Sequence, residues 1–167
     1  MQQMRQTKEK AQFDHEVLEI SRVVRVVKGG RRFRFRAAVV VGDRAGKVGF
    51  GIGKSKDVQQ AISKAQGQAQ KNITEVPLID GTIPFETTAS FKGATVMMRP
   101  AKPGTGIISG GVVRTVADLA GITDLVSKLY GSSNRISNVY AALAAFEELS
   151  MLNESIRKKD KKEKKTV

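Results

Sequence analysis

The sequence predicts an α+β fold of two modules, each a small antiparallel sheet with helices packed against it. Three observations lead to this prediction. Two-residue alternation of apolar and polar side chains occurs in both halves of the chain, and each alternating region is followed by apolar side chains at helical spacing. Between the halves, residues 75–81 supply a Pro and a Gly where the charge balance changes. We therefore expect β-β-β-α in the first half and β-β-α-β-α in the second.

Composition restricts the class of protein. The 167 residues include 29 Lys and Arg, 16 Asp and Glu, one His and no Cys, which gives a net charge of +13. The lack of Cys excludes disulfide frameworks, Cys-ligated metal sites and Cys nucleophiles, and indicates a reducing, cytoplasmic setting. No apolar run is long enough to span a bilayer, and the polar start does not resemble a signal peptide. A single His leaves little for a His-ligated metal, and composition points to no membrane partner and to an anionic partner.

The positive charge is concentrated in the first half and at the end of the chain. Residues 1–76 hold 16 Lys and Arg against 7 Asp and Glu, residues 77–150 hold 6 of each, and residues 151–167 hold 7 against 3. The first half is therefore expected to face nucleic acid or another acidic surface, and the neutral half to face protein. The predicted divisions are a flexible extension (1–12), a first domain (13–76), a linker (77–81), a second domain (82–152) and a basic tail (153–167).

The first two predicted strands carry most of the candidate cations. β-Branched residues over 17–27 predict a strand from which Arg22 and Arg25 project. Gly29 and Gly30 then predict a tight turn. The next run has a period of two, which places Arg32, Arg34 and Arg36 on one face and Phe33, Phe35, Ala37, Val39 and Val41 on the other. We expect an exposed row of Arg side chains on the first face, and both Phe side chains in the core.

A third strand and a helix follow a second reversal at residues 42–46. Val48, Phe50 and Ile52 alternate with Gly49, Gly51 and Gly53. Ser55 is the expected N-cap of a helix whose apolar stripe comprises Val58, Ala61, Ile62, Ala65, Ala69 and Ile73. Bare glycines allow another backbone to approach a strand. We expect the helix to cover part of this face and a phosphate chain to reach the rest.

The glycine string matches neither common nucleotide-binding pattern. A Walker A loop ending at residues 53–55 requires Gly where the chain has Val48, and a dinucleotide fingerprint starting at Gly49 requires Gly where it has Lys54. Lys54 and Lys56 instead lie at the predicted start of the helix, where backbone N–H groups and the helix dipole favour an anion. The sequence therefore predicts a phosphate site at this helix start.

The cations of the two strands, the turn between them and the helix start together form a predicted nucleic-acid interface, which also includes the two glycines of the turn. Its members are Arg22, Arg25, Lys28, Gly29, Gly30, Arg31, Arg32, Arg34, Arg36, Lys54 and Lys56. No helix has the pattern of a major-groove reader, and the module lacks a Trp- or Tyr-rich platform for stacking single-stranded bases. A β-β-β-α module with basic loops favours double-stranded RNA, which is recognised through phosphates, 2′-hydroxyls and shape.

The second half is predicted from the same signals. One strand face carries Ile83, Phe85, Thr87, Ala89 and Phe91. A turn at residues 92–93 leads to a strand over 94–99, followed by a loop over 100–111 and a helix over 112–120 that ends at Gly121. A strand over 125–130 comes next, and Ser137 or Asn138 is the expected cap of the last helix.

The glycine-rich loop over residues 104–111 leaves two hypotheses open. It could cradle a phosphate in a small-molecule kinase, with Asp118 and Asp124 as the metal-holding carboxylates. Alternatively, it is shaped for a protein or RNA neighbour, which the neutral charge of this half favours. The lone His15 is interpreted as an exposed or partly packed side chain and not as a catalyst.

Four strings of the sequence together resemble the family of the fifth protein of the bacterial small ribosomal subunit. They are residues 27–31 (VKGGR), 48–54 (VGFGIGK), 104–111 (GTGIISGG) with Arg114, and 128–134 (KLYGSSN). The similarity runs through about residues 13–150 in family order and spacing, whereas residues 1–12 and the Lys-rich tail carry no family motif.

The resemblance implies an N-terminal domain like the double-stranded-RNA-binding fold and a C-terminal α/β sandwich with a left-handed β-α-β crossover, against the usual handedness. It also implies a structural protein of the small ribosomal subunit with no enzymatic activity, no metal and no other cofactor, and with the turn over residues 28–31 on ribosomal RNA. The segment with Gly104, Gly106 and Arg114 would face the fourth small-subunit protein and influence decoding fidelity. The second domain would meet the eighth protein, and the chain would help line the mRNA entry path.

Overall fold

A computed structural model describes residues 13–163 of the chain, with side chains described for residues 13–156. The predicted extension, residues 1–12, and the side chains of the predicted tail beyond residue 156 lie outside this part. In chain order the elements are β1 (Asp14–Val27), β2 (Gly30–Gly42), β3 (Lys47–Ser55), α1 (Val58–Ala69), β4 (Ile73–Glu75), β5 (Thr87–Phe91), β6 (Ala94–Pro100), β7 (Ile107–Ile108), α2 (Gly111–Ala120), β8 (Leu125–Gly131) and α3 (Arg135–Glu163).

The N-terminal sheet is antiparallel, with strand order β1-β2-β3-β4. Its three long strands and the following helix confirm the predicted β-β-β-α order. The predicted helix end is wrong, because α1 stops at Ala69 and Ile73 begins β4, which pairs with β3. Ile73 was assigned to the helix because its spacing from Ala69 is helical, and spacing alone cannot detect a strand partner.

The central strand β2 is buried on both faces over residues 37–41. Ala37, Val39 and Val41 pack with the Ala side chains of α1. Ala38 and Val40 belong to the other face and pack in a larger core with α2, α3 and the second sheet. A five-residue apolar run fits a strand covered on both sides, since neither face there meets water.

The C-terminal sheet has strand order β5-β6-β8-β7. Its β7 and β8 are parallel and joined by α2, so the expected β-α-β unit is present, and its left-handedness stays a prediction. The predicted helix stop at Gly121 is confirmed by its left-handed φ of 86°. The first strand begins at Thr87 and not at Ile83, which is buried but lies ahead of the strand.

The last helix begins earlier than predicted. α3 starts at Arg135, and the Asn134 Oδ1 atom accepts a hydrogen bond from the Ile136 N–H at 3.0 Å. Asn134 therefore supplies the capping oxygen, and the assignment of the cap to Ser137 or Asn138 is wrong. The helix continues to Glu163, so the first part of the predicted basic tail is helical. Within the described residues, no helix combines the length and apolarity needed to cross a bilayer.

The two sheets share one core. The Tyr140 ring of α3 lies 5.2 Å from the Phe50 ring of β3 and 4.8 Å from the Phe91 ring of β5, measured between centroids. The reversal between β2 and β3 also caps α2, because the Arg44 and Gly46 N–H groups donate to the Leu119 and Ala120 carbonyls at 3.0 and 2.9 Å. The N-terminal sheet is thereby fixed against the C-terminal helices.

Candidate nucleic-acid interface

The β1–β2 hairpin extends beyond the rest of its sheet. Pairing between β2 and β3 ends at Phe35, whereas β1 and β2 stay paired as far as Val27 and Gly30. The five residue steps from Phe35 to Gly30 correspond to about 17 Å of strand. We call residues 20–35, which comprise this two-stranded part and the two β1 residues before it, the ribbon. Its β2 side chains at positions 31–34 are all exposed.

Five cations lie on one face of the ribbon and the adjoining edge of β3. Arg25 lies directly opposite Arg32, and Arg36 lies directly opposite Lys54. Arg34 shares this face because alternate residues of a strand project to the same side. We call Arg25, Arg32, Arg34, Arg36 and Lys54 the cationic face. Like charges directly opposite each other destabilise a sheet, so the fold places these side chains together at an electrostatic cost.

Few carboxylates compensate this charge. Arg36 is paired with Glu19 at 3.4 Å, with both side chains about one-third exposed. Among the side chains described, residues 13–156, none of the other four members has a carboxylate within ion-pair distance. Glu19 was missed by the sequence analysis because its position depends on a register shift between Val17 and Glu19. The cationic face is thus available to an external anion.

The remaining predicted contact residues lie elsewhere on the ribbon or beside it. Arg22 and Arg31 project from the opposite face, Lys28 and Gly29 form the two-residue tip, and Lys56 lies between β3 and α1. At the predicted turn, Gly30 has a φ of 130°, a backbone conformation that favours glycine. The predicted set therefore does not form a single patch.

The predicted phosphate site at the helix start is not formed as expected. Ser55 is the last residue of β3, and the N-cap of α1 is Asp57. The Ser55 hydroxyl donates to Gln60 Oε1 at 2.9 Å. Lys54 projects from the face of β3 that points away from α1, so it joins the cationic face and not the helix end.

The three glycines of β3 lie in close contact with the backbone of α1. A Cβ atom at Gly49, Gly51 or Gly53 would overlap the backbone carbonyl oxygens of Ala69, Ala65 and Ala61, respectively. α1 therefore lies directly on this strand along its length. The expectation that part of the glycine face is open to a phosphate chain is wrong.

The two phenylalanines of β2 differ in environment. Phe35 is partly buried against the core under α1, as predicted. Phe33 is 44% exposed, and the Arg22 Cζ atom lies 3.9 Å from the centroid of its ring. Its assignment to the core is wrong because the alternation fixes only the face of a side chain, and α1 does not extend over this part of the sheet.

A second candidate surface surrounds the glycine-rich loop. Gly104 and Gly106 have φ of 87° and 74°, which allows the loop to reverse before β7. Arg114 is exposed on α2 and lines a shallow depression together with Ile107 of β7. Arg114 and the residue after Gly106 thus share one depression, while Gly104 is exposed with nothing within 4 Å of its Cβ position.

Asp124 holds this loop from inside. Its Oδ1 atom accepts a hydrogen bond from the Gly106 N–H at 2.8 Å, and its Oδ2 atom accepts one from the Thr123 hydroxyl at 3.0 Å. The bond from Gly106 is the main cause of a pKa below the ordinary range of an Asp carboxyl, and burial opposes this shift. Both carboxylate oxygens of Asp124 therefore accept hydrogen bonds within the protein, one of them from the loop backbone.

The geometry does not support the kinase hypothesis. Asp118, the other candidate carboxylate, lies 3.6 Å from Arg44 Nη2. Over the part of the chain that the structure describes, no three His, Asp or Glu side chains are grouped as metal ligands would be. Phosphoryl transfer needs carboxylates that converge on a metal beside the phosphates, and neither Asp is placed for that role.

Comparison with known proteins gives matches over both halves of the chain. Residues 13–77 match the family model described as ribosomal protein S5, N-terminal domain, and residues 89–159 match the model for the C-terminal domain of the same protein. A curated relative from Chloroflexus aurantiacus, named small ribosomal subunit protein uS5, is 45% identical over 160 residues, which are 96% of this chain and 90% of the relative. A relative of the same name from Treponema pallidum is 46% identical over 150 residues, 90% and 87% of the respective chains.

Proposed function

The chain belongs to the ribosomal protein S5 family, and we propose that it binds the 16S-type ribosomal RNA of the small subunit through the cationic face. Family membership makes it a structural constituent of the small ribosomal subunit and not an enzyme. We place its action in cytoplasmic ribosomes.

The observation that supports RNA binding most strongly is the pairing of like charges across the strands. Arg25 opposes Arg32, and Arg36 opposes Lys54, with a single carboxylate nearby among the described side chains. A polyanion turns this repulsion into attraction, because each phosphate can lie between cations that otherwise repel each other. Phosphate contacts of this kind supply affinity and orientation without reading sequence.

The shape of the ribbon suits folded, largely paired RNA. Residues 28–34 are exposed on both faces, and the ribbon projects about 17 Å past β3, so it can enter a groove or a junction between helices. Paired RNA is recognised mainly through phosphates, 2′-hydroxyls and shape, which matches a row of Arg side chains on a stiff two-stranded support. Lys28 and Arg31 at the tip would extend the same contacts.

The neutral half would contact protein neighbours. The surface with Gly104, Gly106 and Arg114 is our proposed interface with the fourth small-subunit protein, and a changed fit there would alter decoding fidelity. The eighth small-subunit protein is the proposed neighbour of the second domain, and the chain would border the mRNA entry path. These assignments follow the family resemblance. The exposed position of Arg114 beside Ile107 supports the first of them.

The RNA proposal is tested with the full chain and a paired RNA of about 16 base pairs, titrated at several salt concentrations. Each lost phosphate contact lowers the log–log salt slope by about 0.7–0.9, so changing Arg32, Arg34 and Arg36 together to Ala should lower it by roughly 2–3. The melting temperature should stay near that of the original chain, since these side chains contribute little to the core.

A matched control removes three exposed cations elsewhere. Changing Lys64, Lys71 and Lys102 to Ala alters the net charge equally but leaves the cationic face intact. If both triple variants change the slope equally, binding depends on total charge and the proposed face is wrong.

A further inference from the structure

The face of the ribbon opposite the cationic face carries exposed apolar side chains. Ile20, Val24, Val26 and Phe33 are 47%, 46%, 73% and 44% exposed. Val24 is paired with Phe33, and the other two project to the same side of the strands. α1 packs on this side of the sheet only over residues 37–41 and against part of Phe35. Neighbouring apolar side chains left exposed on a small protein indicate a contact surface.

An Arg–aromatic pair lies within this apolar surface. Arg22 Cζ is 3.9 Å from the centroid of the Phe33 ring, so the guanidinium group covers part of one face of the ring. Residues 20–35 contain no Asp or Glu. A carboxylate of the ribbon therefore does not compete for Arg22, and the charged groups on this side are all positive.

We infer that Arg22 and Phe33 form a stacking site for one unpaired nucleobase of the bound RNA, with Val24 in contact with the base edge or the ribose. The inference rests on the proposed RNA binding and specifies which RNA group this side of the ribbon takes. Arg guanidinium planes and aromatic rings are the two protein surfaces on which unpaired RNA bases stack. The cationic face would hold phosphates while this face holds a base.

A nucleotide fits this surface better than a protein segment does. The flat base is largely apolar on its faces and the attached phosphate is negative, which matches exposed Val and Phe side chains whose charged neighbours within the ribbon are Arg22, Arg31 and Lys28. An apolar protein segment would cover Phe33 but would leave those cations without a counter-charge.

The test uses the full chain and two RNA duplexes. One duplex is fully paired, and the other has the same paired sequence with a single unpaired 2-aminopurine nucleotide, whose fluorescence falls when the base stacks. We expect the duplex with the unpaired base to bind about 5- to 150-fold more tightly, the range that one base–aromatic stack supplies. Its fluorescence should fall on binding.

Two substitutions of Phe33 separate stacking from general apolar contact. Phe33→Ala should abolish both the preference and the quenching, and Phe33→Leu should do the same although it keeps an apolar side chain. Neither should alter the salt slope on the paired duplex, because the cationic face is untouched. If Phe33→Ala lowers the melting temperature, Phe33→Leu still tests stacking, because it keeps an apolar side chain at this position.

Arg22 has a matched control on the second sheet, away from the proposed RNA contacts. Arg22→Lys keeps the charge but loses the planar guanidinium group, so quenching should weaken. Arg99→Lys makes the same change on β6, where the side chain pairs with Glu86, and should leave quenching intact. If the two variants reduce quenching equally, or if Phe33→Leu leaves it unchanged, the stacking site is wrong while RNA binding stands. If neither duplex binds with a measurable salt slope, the proposed RNA binding itself is wrong.

A photo-crosslinking amino acid at position 33 gives an independent test in assembled small subunits. Crosslinks to ribosomal RNA support the stacking site. Crosslinks to a neighbouring protein without any to RNA overturn it and assign the apolar surface to a protein contact.

Discussion

The ribbon and the body of the protein are built from the same two strands but differ in what covers them. Residues 37–41 of β2 are buried between α1 on one face and α2 and α3 on the other. Residues 30–34, a few positions earlier in the same strand, are exposed. β1 pairs with β2 in both regions, with one register shift between Val17 and Glu19. What differs is whether neighbouring elements supply partners for the side chains.

Charges show the same difference. In the body, Arg44 lies 3.1 Å from Asp14 and 3.6 Å from Asp118, and Arg99 lies 2.9 Å from Glu86. In the ribbon, cations face each other across the strands. These ion pairs of the body join opposite charges, whereas the opposed Arg25 and Arg32 of the ribbon have no carboxylate within ion-pair distance among the described side chains. The exposed part of β2 is thus also the part in which like charges are opposed.

The largest predicted effect contrasts glycines of the two regions. Gly51→Ala places a Cβ atom against the backbone of Ala65 and Ala69, so α1 must move away from β3. We expect a loss of about 3 kcal/mol or more in the free energy of unfolding, the upper range for overpacking. Urea unfolding followed by circular dichroism measures it.

Gly29→Ala is the matched control at the tip of the ribbon. Nothing lies within 4 Å of its Cβ position, and its φ is not in the left-handed region. This substitution should change stability by no more than about 0.5 kcal/mol. Equal losses in the two variants would show that the ribbon is as tightly packed as the body, which contradicts the comparison.

Local periodicity predicted which side chains of β2 share a face, but not which residues of β1 and β3 lie opposite them. Alternation in β2 was sufficient to place Arg32, Arg34 and Arg36 on one face, because the side-chain period of a strand is fixed by backbone geometry. The addition of Arg25 and Lys54 required the register with β1 and β3, which is set by contacts between distant parts of the chain.

The wrong predictions concern two features: the burial of a side chain, which depends on whether another element covers the strand, and the start of a helix, which depends on the capping residue. Phe33 and Phe35 share a face and a residue type, yet only Phe35 lies under α1, and no signal within β2 specifies where that helix ends. Ser55 and Asp57 are both good N-cap residues, so composition alone did not decide between them. The charge distribution predicted a division at residues 77–81, but it contains no information about the apolar core that the two halves share.

A pH-dependent prediction concerns a carboxylate of the body. The pKa of Asp124 is lowered in the folded chain, mainly by the Gly106 N–H, so the unfolded chain binds this proton at higher pH. Its contribution to stability is therefore present above the ordinary Asp range, about pH 4, and is lost as pH falls through the lower folded-state pKa. Unfolding free energies of the original chain and of Asp124→Asn should differ most above pH 5 and converge below pH 4.

Asp57→Asn controls for the loss of a carboxylate as such. The Asp57 side chain makes no capping hydrogen bond, so its difference from the original chain should vary less with pH than that of Asp124→Asn. A constant difference between the original chain and Asp124→Asn from pH 7 to pH 3 would mean that the charge of Asp124 does not hold the loop.

The smallest predicted effect tests the ribbon's internal repulsion directly. Arg25→Gln removes one charge from the opposed pair with Arg32, so the free energy of unfolding should rise at low salt by a few tenths of a kcal/mol, at most about 1 kcal/mol. The gain should shrink at high salt, which screens exposed charges. Arg99→Gln makes the same substitution in the body, where Glu86 lies 2.9 Å away, and should lower stability slightly. Opposite signs for these two variants would establish that Arg25 lowers the stability of the ribbon, whereas a loss in both would show that Arg25 is a structural side chain like Arg99.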